Sequence, residues 1–205
     1  MTIMNKSLRP FLPLAALFCA LAGTDVSAQR KLTPVTDSVP AFDAGWASVA
    51  PPGGKEWYVF DVNRNAAIFG KKLSRRHSFI AAVFLKATDN CCKDAEELAV
   101  HTRAQLDENS KQGRYRIVTQ EAEVTSRDGL ACVSYRIVAE DRGSNVAPGE
   151  PLNYFQKGLN CLRPGSPGEM IELNYSERGG QLEGSPELVS EGESFLKGLK
   201  RSQDK

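Results

Sequence analysis

Motifs that define several common enzyme classes are missing from this chain. It contains no G-x-S-x-G nucleophile elbow, no phosphate-binding loop, no dinucleotide-binding fingerprint and no H-E-x-x-H zinc motif. Histidine, whose unperturbed pKa lies closest to neutrality, is scarce, because His77 and His101 are the only two. His101 lies on a predicted helix, one residue before the buried-side Thr102, and is expected to have a solvated or half-buried structural role. We therefore expect a non-enzymatic protein that uses no cofactor.

The chain has one long hydrophobic run, and it lies at the N-terminus. Lys6 and Arg9 precede an apolar segment at 11–23 of signal-peptide length, and small residues lead up to Ala28. The segment is too short to span a bilayer comfortably. We predict a signal peptide over residues 1–28, cleaved after Ala28.

Two alternatives to cleavage remain open. An uncleaved leader would act as an anchor, and a lipoprotein signal would use Cys19, although Phe18 stands where such a signal needs a small residue. Removing the leader's two basic residues and one acidic residue from the chain's 26 and 25 leaves 24 of each sign. A neutral chain lacks the field that attracts nucleic acid or anionic lipid. We expect a periplasmic or secreted protein with no membrane span after leader removal and no nucleic-acid partner.

The clearest structural signal lies at residues 114–140. Asp128-Gly129 between two alternating runs predicts a β-hairpin whose two-residue turn fixes the strand register. The expected pairs are Val124 with Val133, Ala122 with Tyr135, Gln120 with Ile137 and Val118 with Ala139 on one face, and Thr125 with Cys132, Glu123 with Ser134, Glu121 with Arg136 and Thr119 with Val138 on the other. The first face is almost wholly apolar, and Glu121 opposes Arg136 with opposite charge.

Composition and periodicity divide the rest of the chain. Residues 29–54 are rich in proline, alanine, serine and threonine, which predicts a largely irregular arm that Phe42 and Trp46 tack onto the domain. Residues 55–205 predict a single α+β domain. Its further strands are expected at 56–62, 66–73, 78–86, 152–162 and 169–176.

Two helices complete this domain. Asp94 and Glu97 form a capping-box pattern that predicts a helix at 94–110. Ser185, followed by proline, is typical of a helix start, and the buried stripe of this last helix is expected to include Leu199. The elements together predict an antiparallel sheet of about six or seven strands with two main helices packed on it.

An apolar run at 79–85, a helix at 95–106 and a closing helix at 188–199 carry a resemblance over residues 56–201. Their order, behind a leader and a proline-rich arm, resembles the PsbP-like family of small α/β sandwich proteins. The resemblance implies the fold. It also implies an accessory or binding role, because members of such families often act in that way rather than as catalysts.

Four cysteines follow the leader, and an even number in an oxidising compartment favours disulfides. One arrangement pairs Cys91 or Cys92 with a strand cysteine. Another pairs Cys132 with Cys161, which a hairpin centred near residue 146 would place opposite each other, and leaves Cys91-Cys92 as an adjacent, easily reduced pair and a candidate thiol switch. Free thiols are the third alternative. The absence of a C-x-x-C spacing speaks against zinc, so we predict no metal site.

A local basic cluster is the remaining candidate site. It consists of Lys71, Lys72, Arg75, Arg76 and His77. It suits an anion or an acidic partner, and the alternative is a solvated loop that protects a sheet edge by its charge.

Three function classes follow from these features. The first is a binding or accessory protein of the cell envelope, with a protein partner or an acidic ligand. The second is a thiol-redox protein that uses Cys91 and Cys92. The third is a small-ligand or anion carrier, with either the basic cluster or a pocket between helix 94–110 and the sheet as its site. Four tyrosines on strands suit either a core or a ligand wall: Tyr115, Tyr135, Tyr154 and Tyr175.

Overall fold

The structure, a computed structural model, describes residues 32–88, 91–111, 113–143 and 150–202. The predicted signal peptide and its cleavage site lie outside these residues. The strands are β1 (Thr33–Pro34), β2 (Phe42–Asp43), β3 (Ala47–Val49), β4 (Tyr58–Asn63), β5 (Ala66–Lys72), β6 (Ser78–Ala87), β7 (Tyr115–Arg127), β8 (Leu130–Asp141), β9 (Leu152–Arg163), β10 (Ser166–Arg178) and β11 (Leu199–Arg201), and the helices are α1 (Ala95–Lys111) and α2 (Pro186–Lys197). No helix within the described ranges combines the length and hydrophobicity that a membrane crossing requires.

Eight strands form one antiparallel sheet in the order β1-β4-β5-β6-β10-β9-β8-β7, and β11, β3 and β2 form a second, three-stranded sheet. The α+β architecture with a large antiparallel sheet and two helices is confirmed, whereas the expected count of six or seven strands is too low. The difference arises partly in the segment expected to be a largely irregular arm, where β1, β2 and β3 lie and where Phe42, Ala47 and Val49 are buried. Strands of two or three residues are too short to show an alternating pattern.

The hairpin of β7 and β8 has the predicted register in seven of its eight predicted pairs. Asp128 and Gly129 have φ angles of 49° and 76°, as a two-residue turn that matches the strand twist requires. The expected pairing of Val118 with Ala139 is wrong, because the register shifts between Ile117 and Thr119 and Ala139 pairs with Ile117. A bulge places one extra residue in β7, and Val118 is largely exposed.

The main sheet is covered on both faces. Neighbouring residues of a strand point to opposite sides of the sheet, and buried residues form a cluster on each side. Cys132 and Ile171 face α2 and the small sheet, while Val133 and Met170 face α1. The α2 side holds the larger core, which includes Trp57, Phe69, Phe79, Val83, Leu159, Leu173, Phe195 and Leu199. α1 lies across β7, β8 and β9, and α2 lies against β10 and β6.

The predicted cap of α1 forms in part. The backbone N–H of Glu97 donates to the carboxylate of Asp94 over 2.9 Å. The Glu97 carboxylate accepts from the backbone N–H of Lys93 over 3.0 Å. This interaction satisfies a free N–H at the helix start, one residue earlier than a capping box would.

α2 starts after Ser185 as predicted but ends before Leu199. Gly198 follows the last helical residue, and Leu199 enters β11, where it pairs with Val49 and is fully buried. A leucine at this position suits both a further turn of α2 and the start of a buried strand. The strand that pairs with β11 is β3, from the segment before residue 55. The sequence pattern of α2 contains no sign of this distant partner.

Candidate functional site

A polar cleft lies between the C-terminal half of α1 and the sheet. Leu98 and Ala99 pack the N-terminal half of the helix directly on the sheet. From Thr102 onward the facing side chains are mostly polar, and a cavity of about 290 Å³ opens. Its lining includes Lys86, Thr102, Gln105, Asn109, Tyr135, Gln156, Asn160 and Glu172. The carrier hypothesis expected a pocket in this position.

Glu172 forms the centre of the cleft floor. Its side chain is largely buried, and its carboxylate accepts hydrogen bonds from the Tyr135 hydroxyl over 2.8 Å and the Asn174 amide over 2.9 Å. The Lys86 ammonium forms an ion pair with the other oxygen. A buried carboxylate needs such partners, because burial without them costs several kcal/mol. Burial, reinforced by the charge of Glu172, holds the pKa of the Tyr135 phenol well above its usual value, so the phenol stays a hydrogen-bond donor.

Tyr135 reaches Glu172 by lying across the strand between them. Tyr135 is on β8 and Glu172 on β10, and Gly158 of β9 stands directly opposite Tyr135. A Cβ atom at Gly158 would lie 2.2 Å from Cζ of the Tyr135 ring. The glycine therefore leaves the space through which the tyrosine contacts the carboxylate.

Two amide side chains of β9 form the next part of the wall. Asn160 donates from Nδ2 to the Thr102 hydroxyl over 3.1 Å. Its Oδ1 is buried and has no hydrogen-bond partner within the part of the chain that the structure describes. Gln156 donates to the Tyr135 hydroxyl over 3.2 Å and accepts from the Tyr154 hydroxyl over 2.7 Å. An unpaired buried carbonyl costs about 1–3 kcal/mol, so Asn160 is a residue of the cleft wall with an unused acceptor.

A second compartment of about 220 Å³ continues the cleft past Leu106. Tyr115 and Tyr154 stand in its wall with ring centroids 4.7 Å apart, and the Arg114 guanidinium lies 4.9 Å from the Tyr115 ring. Burial raises the pKa of both phenols. The cleft thus has a polar end at Glu172 and an aromatic end.

The cation at the aromatic end is already paired. Arg114 binds the carboxylate of Asp141 with two hydrogen bonds of 3.0 and 2.9 Å, and the Asp141 side chain is fully buried. These hydrogen bonds hold the pKa of Asp141 below its usual value and raise that of Arg114.

Tyr175, the fourth strand tyrosine, does not belong to the cleft. It lies on the α2 side of the sheet, where its hydroxyl donates to Glu193.

The structure does not bring the basic cluster of residues 71–77 together as one anion site. Lys71 and Lys72 are neighbours on β5 and so point to opposite faces of the sheet. Lys71 is buried and lies 2.6 Å from a Glu191 oxygen. Arg76 pairs with Glu150 over 2.7 Å, and His77 contacts the buried carboxylate of Glu177 over 2.5 Å. Arg75 is an exposed residue. Three of the five cluster residues therefore have their own carboxylate partners.

The four cysteines form two disulfides. Cys132 is paired with Cys161 across β8 and β9, and Cys91 is paired with Cys92 just before α1. The arrangement that joined Cys91 or Cys92 to a strand cysteine is not found. Cys132, Cys161 and Cys92 are fully buried, whereas Cys91 is exposed.

Sequence reasoning located the cleft but missed several of its residues. Glu172, Gln156, Asn160 and Gly158 carried no motif, and each is an ordinary residue in an alternating strand. One signal was available: polar residues at 156, 160, 172 and 174, with a glycine at 158, repeat with period two on strands whose other face is mostly apolar. Such a repeat indicates a polar surface under a covering element.

Comparisons with known proteins give a likeness in fold. No protein-family model matches this sequence, and no curated protein does. Among solved structures, the chain is similar to a Bacteroides thetaiotaomicron protein at 15% identity and a TM-score of 0.40, over 78% of this chain and 46% of that one. It is also similar to cyanobacterial PsbP from Synechocystis, at 14% identity and a TM-score of 0.43, over 76% of this chain and 86% of that one.

This chain spans about half the length of the Bacteroides protein. The order of elements in the sequence indicated a resemblance to PsbP-like proteins, and the comparison of structures also gives one such protein. At these identities it concerns the course of the chain alone.

Proposed function

We propose that this chain is an exported, non-enzymatic binding protein that carries a small, neutral, hydroxyl-rich ligand in the cleft under α1. The observation that carries the proposal is the cleft floor. There, the buried Glu172 network and Asn160, whose buried carbonyl has no partner within the described residues, line a cavity rather than a packed core. Polar groups are costly to bury, and binding of a polar ligand would explain why this cleft contains so many of them.

The charges at the cleft favour a neutral ligand. Lys86 is matched by Glu172 and Arg114 by Asp141, so neither cation is left to bind an anion. The amides of Gln105, Asn109 and Asn160 offer donors and acceptors for hydroxyl groups. The tyrosine pair at the other end offers flat faces for the C–H surface of a ring. The two compartments together fall within the roughly 300–1,000 Å³ of small-molecule sites, enough for one or two sugar rings.

Ligand binding can be tested with a panel of neutral mono- and disaccharides, screened by the rise in melting temperature that binding causes. A panel of anionic sugars of equal size serves as the comparison. We expect a neutral member to raise the melting temperature and an anionic one to raise it less. If no neutral saccharide shifts the melting temperature, the ligand class is wrong.

A variant pair locates the binding site. Asn160→Ala removes the unpaired carbonyl and should weaken binding about tenfold, because a lost hydrogen bond of about 1–1.5 kcal/mol has that effect. Asn153→Ala is the control, since Asn153 lies on the same strand but its amide bonds the Gly180 carbonyl at the surface. Equal affinities of the two variants, measured by titration calorimetry, would place the ligand elsewhere.

The location proposed for this carrier is the periplasm or the extracellular space. The predicted leader supports it, and so do two disulfides, which persist in oxidising compartments. N-terminal sequencing of the natural protein tests it, with Gln29 as the expected first residue. A start at Met1 would contradict the export on which the proposal rests.

A second candidate function rests on the exposed disulfide. Cys91 is accessible at the surface, so its sulfur can be attacked by the thiolate of a partner protein. Thiol-disulfide exchange with a protein partner would then be the activity. Turnover of a disulfide substrate that disappears in Cys91→Ser would support it, and unchanged turnover in that variant would exclude it.

A further inference from the structure

The start of α1 brings together three potential metal ligands. The sulfurs of Cys91 and Cys92 and a ring nitrogen of His101 all lie within 4.8 Å of one another. The cysteines precede the helix, and His101 lies in its second turn, so the fold of the helix start sets the distance. The sequence alone does not connect them, because eight residues lie between His101 and Cys92, its nearest cysteine.

The histidine carries an independent sign of a missing partner. Its Nε2 atom is buried and has no hydrogen-bond partner in the part of the chain that the structure describes. A buried polar atom without a partner is uncommon, and each one asks for an explanation. A purely structural role leaves this buried nitrogen unexplained, whereas a metal ligand would account for it.

We propose that reduction of the Cys91–Cys92 disulfide creates a metal site, made of two thiolates and the His101 imidazole, for a soft d¹⁰ cation such as Zn²⁺ or Cu⁺. Thiolate and imidazole ligands favour these metals. Three protein ligands leave a fourth position open, as in zinc sites that hold a water or an exchangeable ligand. The disulfide form has no thiolate to offer, so the oxidation state of the pair controls the site.

The opening step is thiol-disulfide exchange with a dithiol reductant. The S–S bond of Cys91–Cys92 breaks, the dithiol is oxidised to its own disulfide, and the two protons of the dithiol pass to the cysteine sulfurs. Metal binding then releases both protons to solvent as the thiolates coordinate the cation. No further electron transfer is needed.

Exposure directs reduction to this pair. Cys91 is exposed, whereas both sulfurs of the Cys132–Cys161 disulfide belong to fully buried residues in the larger core. A reductant that acts on the folded protein therefore reaches Cys91 first. The site opens without loss of the disulfide that joins β8 to β9.

The experiment is a Zn²⁺ titration of the full mature chain under anaerobic conditions, before and after mild reduction with a phosphine. Peptide mass mapping confirms that only the first disulfide is open. We expect one Zn²⁺ per reduced chain and none per oxidised chain. Co²⁺ should reproduce the stoichiometry and give the thiolate-to-metal charge-transfer bands of a sulfur-bound ion. Equal binding by both redox forms, or no binding by the reduced form, would overturn the proposal.

Variants test the role of the histidine. His101→Ala and His101→Gln should each weaken Zn²⁺ binding by at least about tenfold, the lower limit for loss of even an outer partner of a metal site. His77→Ala is the matched control, because it removes the chain's other histidine and should leave the affinity unchanged. Circular dichroism establishes that each variant is folded. Unchanged affinity in both folded His101 variants would reduce the site to a thiol pair and refute the three-ligand geometry.

Discussion

The contact between Tyr135 and Glu172 through the space above Gly158 allows a sharp test of the cleft. In Gly158→Ala the new Cβ atom lies 2.2 Å from Cζ, 2.4 Å from the hydroxyl oxygen and 2.5 Å from Cε1 of the tyrosine. The ring has to move by about 1.3 Å or more to restore the ordinary carbon–carbon separation of about 3.5–4 Å. That movement takes the hydroxyl out of hydrogen-bond range of Glu172, from which it is now 2.8 Å distant.

The expected loss of stability has two parts. A hydrogen bond to a buried carboxylate contributes about 1.5–3 kcal/mol, and overpacking of a dense interior costs about 1–3 kcal/mol. Gly158→Ala should therefore lower the free energy of unfolding by about 2.5–6 kcal/mol. Urea denaturation measures this as a lower midpoint with an unchanged slope.

A second background makes the test specific. In Tyr135→Val the ring is absent, so the added methyl group of Gly158→Ala meets open space. There, the substitution should be neutral or stabilising by up to about 1 kcal/mol, because glycine in a strand interior costs about that much relative to alanine. An equal cost of Gly158→Ala in both backgrounds, or a cost below about 1 kcal/mol in the natural sequence, would contradict the proposed clash with Tyr135.

Three further predictions concern buried charges and the core disulfide. Glu191→Ala leaves the buried Lys71 without its carboxylate and should cost about 2–3 kcal/mol in urea denaturation, since the glutamate is partly exposed; a cost near zero would contradict the pairing. The lowered pKa of Asp141 adds stability that is complete above the unfolded carboxylate pKa of about 4 and is lost as pH falls through the folded value. Asp141→Asn should therefore flatten the acid side of the stability profile, and an unchanged profile would exclude this carboxylate as its source. Replacing both Cys132 and Cys161 by alanine opens a link between residues 29 positions apart and should cost about 3–4 kcal/mol of unfolding free energy; an unchanged denaturation midpoint would show that the crosslink does not stabilise the fold.

The sequence was sufficient to predict structure where the interactions that define an element lie within a few neighbouring residues. The Asp128-Gly129 turn and the alternating residues around it predicted the register of β7 and β8, apart from the bulge at Val118. Such a bulge has no sequence signal here, because valine is equally suited to the paired and the unpaired position. The start of each helix was likewise predicted from the residues of its first turn. Asp94 does cap α1, whereas the Ser185 side chain bonds Glu177 and makes no cap hydrogen bond to α2.

The disulfides show where local rules end. A hairpin centred near residue 146 correctly places Cys132 opposite Cys161. The competing arrangement stayed open because the face of Cys132 looked polar from the first hairpin alone. That face is buried by α2 and the small sheet, elements that come from distant parts of the chain.

The sequence by itself determined the leader prediction, the hairpin, the helix starts and the α+β class, because each depends on interactions over a few residues or on simple periodicity. Only the tertiary structure decided that Tyr135, Asn160 and Glu172 meet under α1 and that His101 stands beside Cys91 and Cys92. The cleft groups come from α1 and from three strands, and the contact of Tyr135 with Glu172 depends on strand order and on Gly158 in β9, the strand between them. His101 reaches the cysteines through the turn of α1. No pattern along the chain encodes a distance across the sheet, so the chemistry of both sites emerges only after the fold is formed.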